Sequence, residues 1–211
     1  MIMKITSIKK YKGSSYEVTV DDERKIYLHI DIIHDFHINI GSEFDDEQLE
    51  EIIYSSNRRK AYQYSLYLLD YRDYSYRELF KKLLGIYKNE DLCFEVMDKL
   101  VKGGMINDRR YAENLARKYI EIKKFGINRA RREMYNKGIM GEVAETALEP
   151  YSGYAEENIS ELLEKKYSRY LADPDDRKNT EKVKNSLVRL GYSFDDINKS
   201  IDNYFENRKD F

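Results

Sequence analysis

Gly85, Gly138 and Gly191 recur at an interval of 53 residues, and that interval constrains the fold more than any other feature of the chain. Each lies at the end of a short amphipathic segment: FKKLLGI, MYNKGIM and LVRLGYS. Glycine ends helices readily because it takes the left-handed conformation at little cost. After each glycine comes a stretch whose apolar residues step by four: Leu92/Val96, Ala144/Leu148 and Ile197/Ile201. Before each lies a longer amphipathic segment, over about 58–72, 108–124 and 155–172. A three-helix unit used three times therefore accounts for residues 58–207 without a long unassigned loop. Units of this size bury their apolar faces on one another. The expected fold is mainly α, with three tandem three-helix repeats in an elongated, curved array. A small β-meander and helix module precedes them. The expected boundaries are 1–55, 56–106, 107–152 and 153–211.

The middle unit is written most clearly. Gly103 and Gly104 close one helix, and Asn107 or Asp108 caps the next by accepting hydrogen bonds from its first free amides. Tyr111, Leu115, Tyr119 and Ile122 recur at steps of four and three, which places them on one helical face. Arg110, Arg117 and Lys124, at steps of seven, fall opposite. Gly126 breaks the pattern, and Gly138 ends a second helix.

Elsewhere the signals are local. Met3–Ile8, Tyr16–Val20 and Lys25–Ile30 are short β-branched or alternating runs, with turns at 13–15 and 21–24, and read as a three-stranded meander. His34 and His37 fall in a short helical segment from Asp31 to Ile38. Asp45 and Asp46 open a helix with the stripe Leu49, Ile52 and Ile53. Asn57–Lys60 reads as either a break or an exposed continuation, before a new stripe of Ala61, Tyr64, Leu68 and Tyr71. Ser75 and Glu78 form a capping box for a helix that buries Leu79, Phe80, Leu83 and Leu84 and ends at Gly85. Asn89 caps the next, with Leu92, Val96, Met97 and Leu100 inward. The third unit shows Ile159, Leu162, Leu163, Tyr167 and Leu171, then a loop at 172–176.

Charged residues make up 36% of the chain and the mean hydropathy is -0.78, which favours thin helical layers over one large core. Twenty tyrosines, apolar with a wettable end, suit half-buried faces. The lone cysteine, Cys93, excludes an intrachain disulfide framework and fits a reducing compartment. No apolar run approaches the length of a membrane span, and residues 1–13 lack the apolar core of a secretory signal. A cytoplasmic monomer is expected.

The net charge of -2 hides an uneven distribution. Residues 1–55 carry 6 Lys/Arg against 12 Asp/Glu, whereas residues 56–150 carry 20 against 14. From Arg117 to Arg132 there are seven cations and one acid, Glu121. Such a run is either a solvated helix face or a contact surface for a polyanion or an acidic protein. Clustering opposite the Tyr111/Leu115/Tyr119 stripe nominates Arg110, Arg117, Lys118, Lys124, Arg129, Arg131 and Arg132 as that surface. Arg72, Arg77, Lys81 and Lys82 extend it from the first repeat. The excess of acids over 1–55 argues against direct DNA contact there.

Enzymatic readings find little support. Gly103-Gly104 lacks the surroundings of a phosphate loop. His34 and His37, with Asp31 and Asp35 near, lack the further Cys or His that a closed metal site needs. Cys93 has no local histidine, and the pairs Asp45-Asp46 and Asp195-Asp196 sit at helix starts, where the helix dipole accounts for them. No catalytic residue, metal or cofactor is expected.

Gly104, Met105 and Ile106, Asn107 and Asp108, Tyr111 and Ala112, Arg117, Gly126, and Lys137-Gly138-Ile139 form one ordered pattern. Through it the segment from Gly104 to Ile139 resembles the middle repeat of the RecX family of recombination regulators. In the first repeat the resemblance rests on Ala61, Leu68, Tyr71 and Arg72, Ser75, Glu78 and Leu79, and Lys82 and Leu83. Arg132-Glu133-Met134 departs from the family's usual Glu-Leu pair, and residues 1–55 resemble the N-terminal segment of its longer members. The resemblance implies a non-enzymatic protein that binds the RecA filament and modulates, usually inhibits, its ATP hydrolysis, strand exchange and co-protease activity. Contacts to single-stranded or duplex DNA through the basic middle repeat are compatible with it. The competing expectation is a helical scaffold for another protein, without a nucleic-acid role.

Overall fold

The computed structural model describes residues 2–208, in which four strands are followed by a predominantly helical chain. The chain divides into two compact units. One comprises the residues up to Arg72 together with Leu79–Met105; the other comprises Asp73–Glu78 and everything from Ile106.

The first unit opens with strands β1 (Met3–Lys12), β2 (Ser15–Val20) and β3 (Arg24–His29), an antiparallel meander as expected. A two-residue strand, β4 (Glu43–Phe44), pairs with Met3 and Lys4, giving the order β3-β2-β1-β4. Alternation puts Ile5, Val18, Val20 and Leu28 on one face. They pack with Ile32 and Ile33 of helix α1 (Ile30–Asp35), Ile38, and Leu49 and Ile52 of helix α2 (Asp46–Tyr71). Ile30 begins α1 instead of continuing the strand, because the His29 imidazole accepts the Asp31 amide and caps the helix (3.2 Å).

Helix α2 runs unbroken from Asp46 to Tyr71. Asp45 and Gln48 cap each other's backbone amides at its start (2.8 and 3.0 Å). The boundary expected at 55/56 thus lies inside one helix, which continues through Asn57–Lys60 with Arg58 and Lys60 exposed and Asn57 and Arg59 half-buried. The buried face also differs from the expected stripe. Tyr71 is 86% exposed, while Ser55 and Ser56 are buried in addition to Ala61, Ser65 and Leu68. Small side chains there admit helix α4 (Glu90–Lys102), which packs on α2 and is capped by Asn89. Helix α3 (Tyr76–Tyr87) passes through Gly85, and the left-handed residue after it is Lys88 (φ 51°). Gly85 is therefore not the helix end the 53-residue series implied.

The second unit holds α5 (Asp108–Arg117), α6 (Ile127–Asn136), α7 (Glu142–Leu148), α8 (Ala155–Leu162), α9 (Arg177–Arg189) and α10 (Phe194–Glu206). It has two cores. Ala112, Leu115, Ala116, Tyr119, Ile120, Ala130, Met134 and Ile139 belong to one, Ile159, Leu163, Tyr167, Val183, Leu187, Tyr192 and Ile197 to the other. Both α5 and α8 end in a single π turn, at Lys118–Ile122 and Leu163–Tyr167, and each turn buries a tyrosine, Tyr119 or Tyr167. The wider π turn advances each residue less around the axis. Ile120 consequently faces inward and Ile122 is 72% exposed, against the expected stripe.

Two glycines of the repeating series seat the helices of this unit. After α6, Gly138 takes φ +80°, and a Cβ there would lie 2.7 Å from Ser75 Oγ at the start of α3. The same Ser75 hydroxyl donates to the Lys137 carbonyl (2.6 Å) and accepts the Glu78 amide (3.1 Å). After α9, Gly191 takes φ +94°, and a Cβ there would collide with the backbone of Arg129 at the start of α6. Here the Gly126 amide donates to the Leu190 carbonyl (2.9 Å). One contact, the end of a unit's second helix against the start of the preceding one, thus occurs twice.

Candidate interaction surface

Helix α5 starts where Asn107 accepts the Arg110 amide (2.9 Å). Asp108, half-buried, accepts the Tyr76 amide (2.8 Å), and burial pushes its carboxyl up despite that bond. With Ala112, Leu115, Ala116 and Tyr119 inward, Arg110 and Arg117 stand on the opposite face, about 10 Å apart along the axis. Lys118 is exposed beside them. On α6 the buried residues are Ala130 and Met134, so Arg132 points directly outward. The side chains of Arg110, Arg117, Lys118 and Arg132 have no hydrogen-bond or ion-pair partner among the described residues.

Lys123 is exposed and lies over the Tyr119 and Phe125 rings (5.4 and 5.6 Å), whereas Lys124, Arg129 and Arg131 are occupied. Lys124 has left the helix, at φ +53°, and is half-buried instead of lying on the Arg110/Arg117 face. Its Nζ contacts Asn158 Oδ1 (2.9 Å) and Glu161 Oε2 (2.6 Å). Hydrogen bonds from Lys124 and Lys165 lower the Glu161 carboxyl to about 2. Arg129 lies over the Phe125 ring at 3.9 Å and donates to the Arg189 carbonyl (3.3 Å). Arg131 makes a bidentate pair with Glu145 (2.6 and 2.9 Å), which holds that carboxyl below its ordinary value. Arginine and carboxylate geometries match in such forks, so little of either group remains for another partner.

The first-repeat candidates are spread over both units. Arg77 is exposed and its Nη1 donates to Met140 Sδ (3.2 Å) within the second unit. Arg72 caps the C-terminus of α2, and Lys81 and Lys82 are exposed on α3; all three belong to the first unit.

A further set went unnoticed in the sequence. On α9, Lys178, Lys182, Asn185 and Arg189 recur at steps of four, three and four, opposite the buried Val183 and Leu187. That spacing was readable, but the near-neutral charge of the last unit masked it. Helix α9 is cationic while α10 opens with Asp195 and Asp196.

Other chemistry is sparse. Among the described residues no group of three or more His, Cys, Asp or Glu converges as metal ligands would, and His34 and His37 are both exposed. Burial pushes the Cys93 thiol up, away from the thiolate that a nucleophile needs. No described helix is long and apolar enough to cross a membrane.

Residues 107–148 match the second three-helix domain of RecX and residues 154–201 the third. These ranges begin at the Asn107 cap and at Tyr154, just before α8. Regulatory protein RecX of Lactococcus lactis subsp. cremoris (strain MG1363) is 32% identical over 196 residues, covering 90% of this chain and 72% of that protein. The chain belongs to the RecX family. Regulatory protein RecX of Clostridioides difficile (strain 630) is 28% identical over 200 residues, 93% of each chain. Two crystal structures share the fold of RecX. One of a regulatory protein RecX superposes with a TM-score of 0.69 at 25% identity, over 95% of this chain and 99% of that one. That of RecX from Lactobacillus salivarius gives 0.64 at 31%, over 71% and 97%.

Proposed function

We propose that this chain regulates the RecA recombinase by binding its filament, and that it lowers ATP hydrolysis, strand exchange and co-protease activity. Family membership supports the regulatory role. The observation that carries the surface assignment is the division of the basic run. Arg110, Arg117, Lys118 and Arg132 are exposed and uncommitted, so they meet an anionic partner without first breaking an internal bond. Lys178, Lys182 and Arg189 of α9 join them as candidates. The partner groups are acidic side chains of the filament and phosphates of its DNA, and phosphate contacts make binding salt-dependent and independent of sequence.

The test is the joint reversal Arg110→Glu, Arg117→Glu, Lys118→Glu and Arg132→Glu. Suppression of DNA-dependent ATP hydrolysis by RecA is expected to fall by an order of magnitude or more, with circular dichroism unchanged. Full suppression by the folded variant would remove these residues from the surface. An assay with RecA in which the unaltered protein changes no activity would overturn the regulatory reading itself.

A further inference from the structure

The N-terminal sheet has a second face that the core does not use. Ile8, Val18 and Ile26 are cross-strand partners and pack against the core. The rows on either side of them, Lys9–Glu17–Tyr27 and Ser7–Thr19–Lys25, project from the opposite face. Tyr11 sits at a register shift between Lys10 and Lys12, and its ring lies 4.8 Å from that of Tyr27. The two residues are 64% and 40% exposed, which leaves a large aromatic area in water.

The charge on this face differs from that of the module around it. Strand β1 carries Lys4, Lys9, Lys10 and Lys12 and no acid, and all four lysines are exposed. Glu17 is the one acid of β2, and Lys25 contacts it at 3.0 Å. Tyr27 also donates to Glu17 (3.0 Å), which fixes the orientation of the ring. The turn acids Asp21, Asp22 and Glu23 lie at the far end of the β1–β2 hairpin from Tyr11. The acidic balance over residues 1–55 thus comes from that turn and from 31–51, and does not describe the sheet face.

We propose that this face binds single-stranded polynucleotide, with Tyr11 and Tyr27 stacking on bases and Lys9 and Lys12 meeting phosphates. Every base has a π-face, so aromatic stacking is tolerant of sequence, and cations beside the rings track the backbone. A duplex keeps its base faces internal, which selects the single strand. The proposal goes beyond regulation of RecA through the helices and stands whether or not that reading holds.

The experiment uses the full chain and a short fluorescein-labelled oligothymidine, followed by anisotropy at several salt concentrations. Tyr11→Ala is expected to weaken binding about fivefold or more, and Tyr11→Phe, which keeps the ring, to restore it. Lys9→Glu with Lys12→Glu is expected to weaken binding and to flatten its salt dependence. An oligonucleotide carrying iododeoxyuridine is expected to crosslink to peptides containing Tyr11 or Tyr27, and still to do so when Arg110, Arg117, Lys118 and Arg132 are reversed. Crosslinks confined to the helical residues would overturn the proposal. So would unchanged affinity in folded Tyr11→Ala, or displacement of the oligonucleotide from this face by polyglutamate at equal charge concentration, which would mark an acidic-peptide site.

Discussion

Lys124 and Arg132 lie eight residues apart in one basic run, and their surroundings are opposite. Lys124 reaches Asn158 and Glu161, and Asn158, 2% exposed, donates in turn to the Ile120 carbonyl (3.2 Å) beside the π turn. Arg132 stands alone on the outer face of α6. Arg129 and Arg131 resemble Lys124 in being engaged; Arg117 and Lys118 resemble Arg132. The engaged cations belong to the construction of the helical array, and the free ones to whatever it meets. Cationic character alone does not separate the two groups. Their neighbours do: a carboxylate or carbonyl from the following repeat reaches Lys124 and Arg129, and Glu145 of the adjacent helix α7 reaches Arg131.

The sharpest way to break this comparison is to break a junction. Gly191→Ala places a Cβ against the backbone of Arg129 at a φ of +94°, and neither the backbone nor the dihedral yields cheaply. A loss on the order of 2–4 kcal/mol is expected in urea unfolding. Binding through Arg110 and Arg117 should weaken only as far as the folded fraction falls. A loss below about 1 kcal/mol would show that α9 does not depend on this close approach.

Asn158→Leu comes next. It leaves the Ile120 carbonyl without its donor and takes one acceptor from Lys124. A buried polar group left unsatisfied costs about 1–3 kcal/mol, and the same unfolding experiment reads it. Asn158→Asp keeps an acceptor for Lys124 but turns a carboxyl oxygen toward the Ile120 carbonyl, so its cost reads the lost donor together with a buried charge. A smaller effect is expected from Arg131→Ala, under about 1 kcal/mol, since the pair with Glu145 is largely exposed. Arg132→Ala is expected to leave stability unchanged. Equal losses from these last two would contradict the division into engaged and free cations.

Much of the array was legible because helix ends have strong local chemistry. Asn89 and Asn107 cap their helices and Asp45 opens α2 as the sequence suggests, and Gly138 and Gly191 end theirs. Gly85 fits the same interval without the same role: nothing approaches it, and Lys88 takes the left-handed conformation instead. An interval records a position, whereas the close contact that requires glycine exists only at 138 and 191. The π turns were hidden because the helical period assigns Ile122 to the stripe, and nothing in its neighbours signals the wider turn. The basic run was visible as charge. Its occupancy was not, because Glu145 and Glu161 lie far along the chain from Arg131 and Lys124 and meet them only through folding.

The smallest expected effect isolates one engaged cation by pH. Glu161 is half-buried, and its carboxyl is lowered from an ordinary 4.5 to about 2, first by the hydrogen bond from Lys124 and then by that from Lys165. A carboxyl lowered in the folded state contributes stability above its unfolded value and loses that contribution as pH falls from about 4.5 toward 2. In Lys124→Met, Lys165 remains and the principal donor is gone, so the Glu161 carboxyl moves back up toward its ordinary value. Carboxyl NMR titration is expected to show that rise, and the fall of stability across the acid window should become shallower. Arg132→Met should leave both the Glu161 titration and the acid unfolding curve unchanged. If it shifts them as Lys124→Met does, the two cations act through their summed field, and the distinction drawn from contacts is wrong at the position where it is easiest to measure.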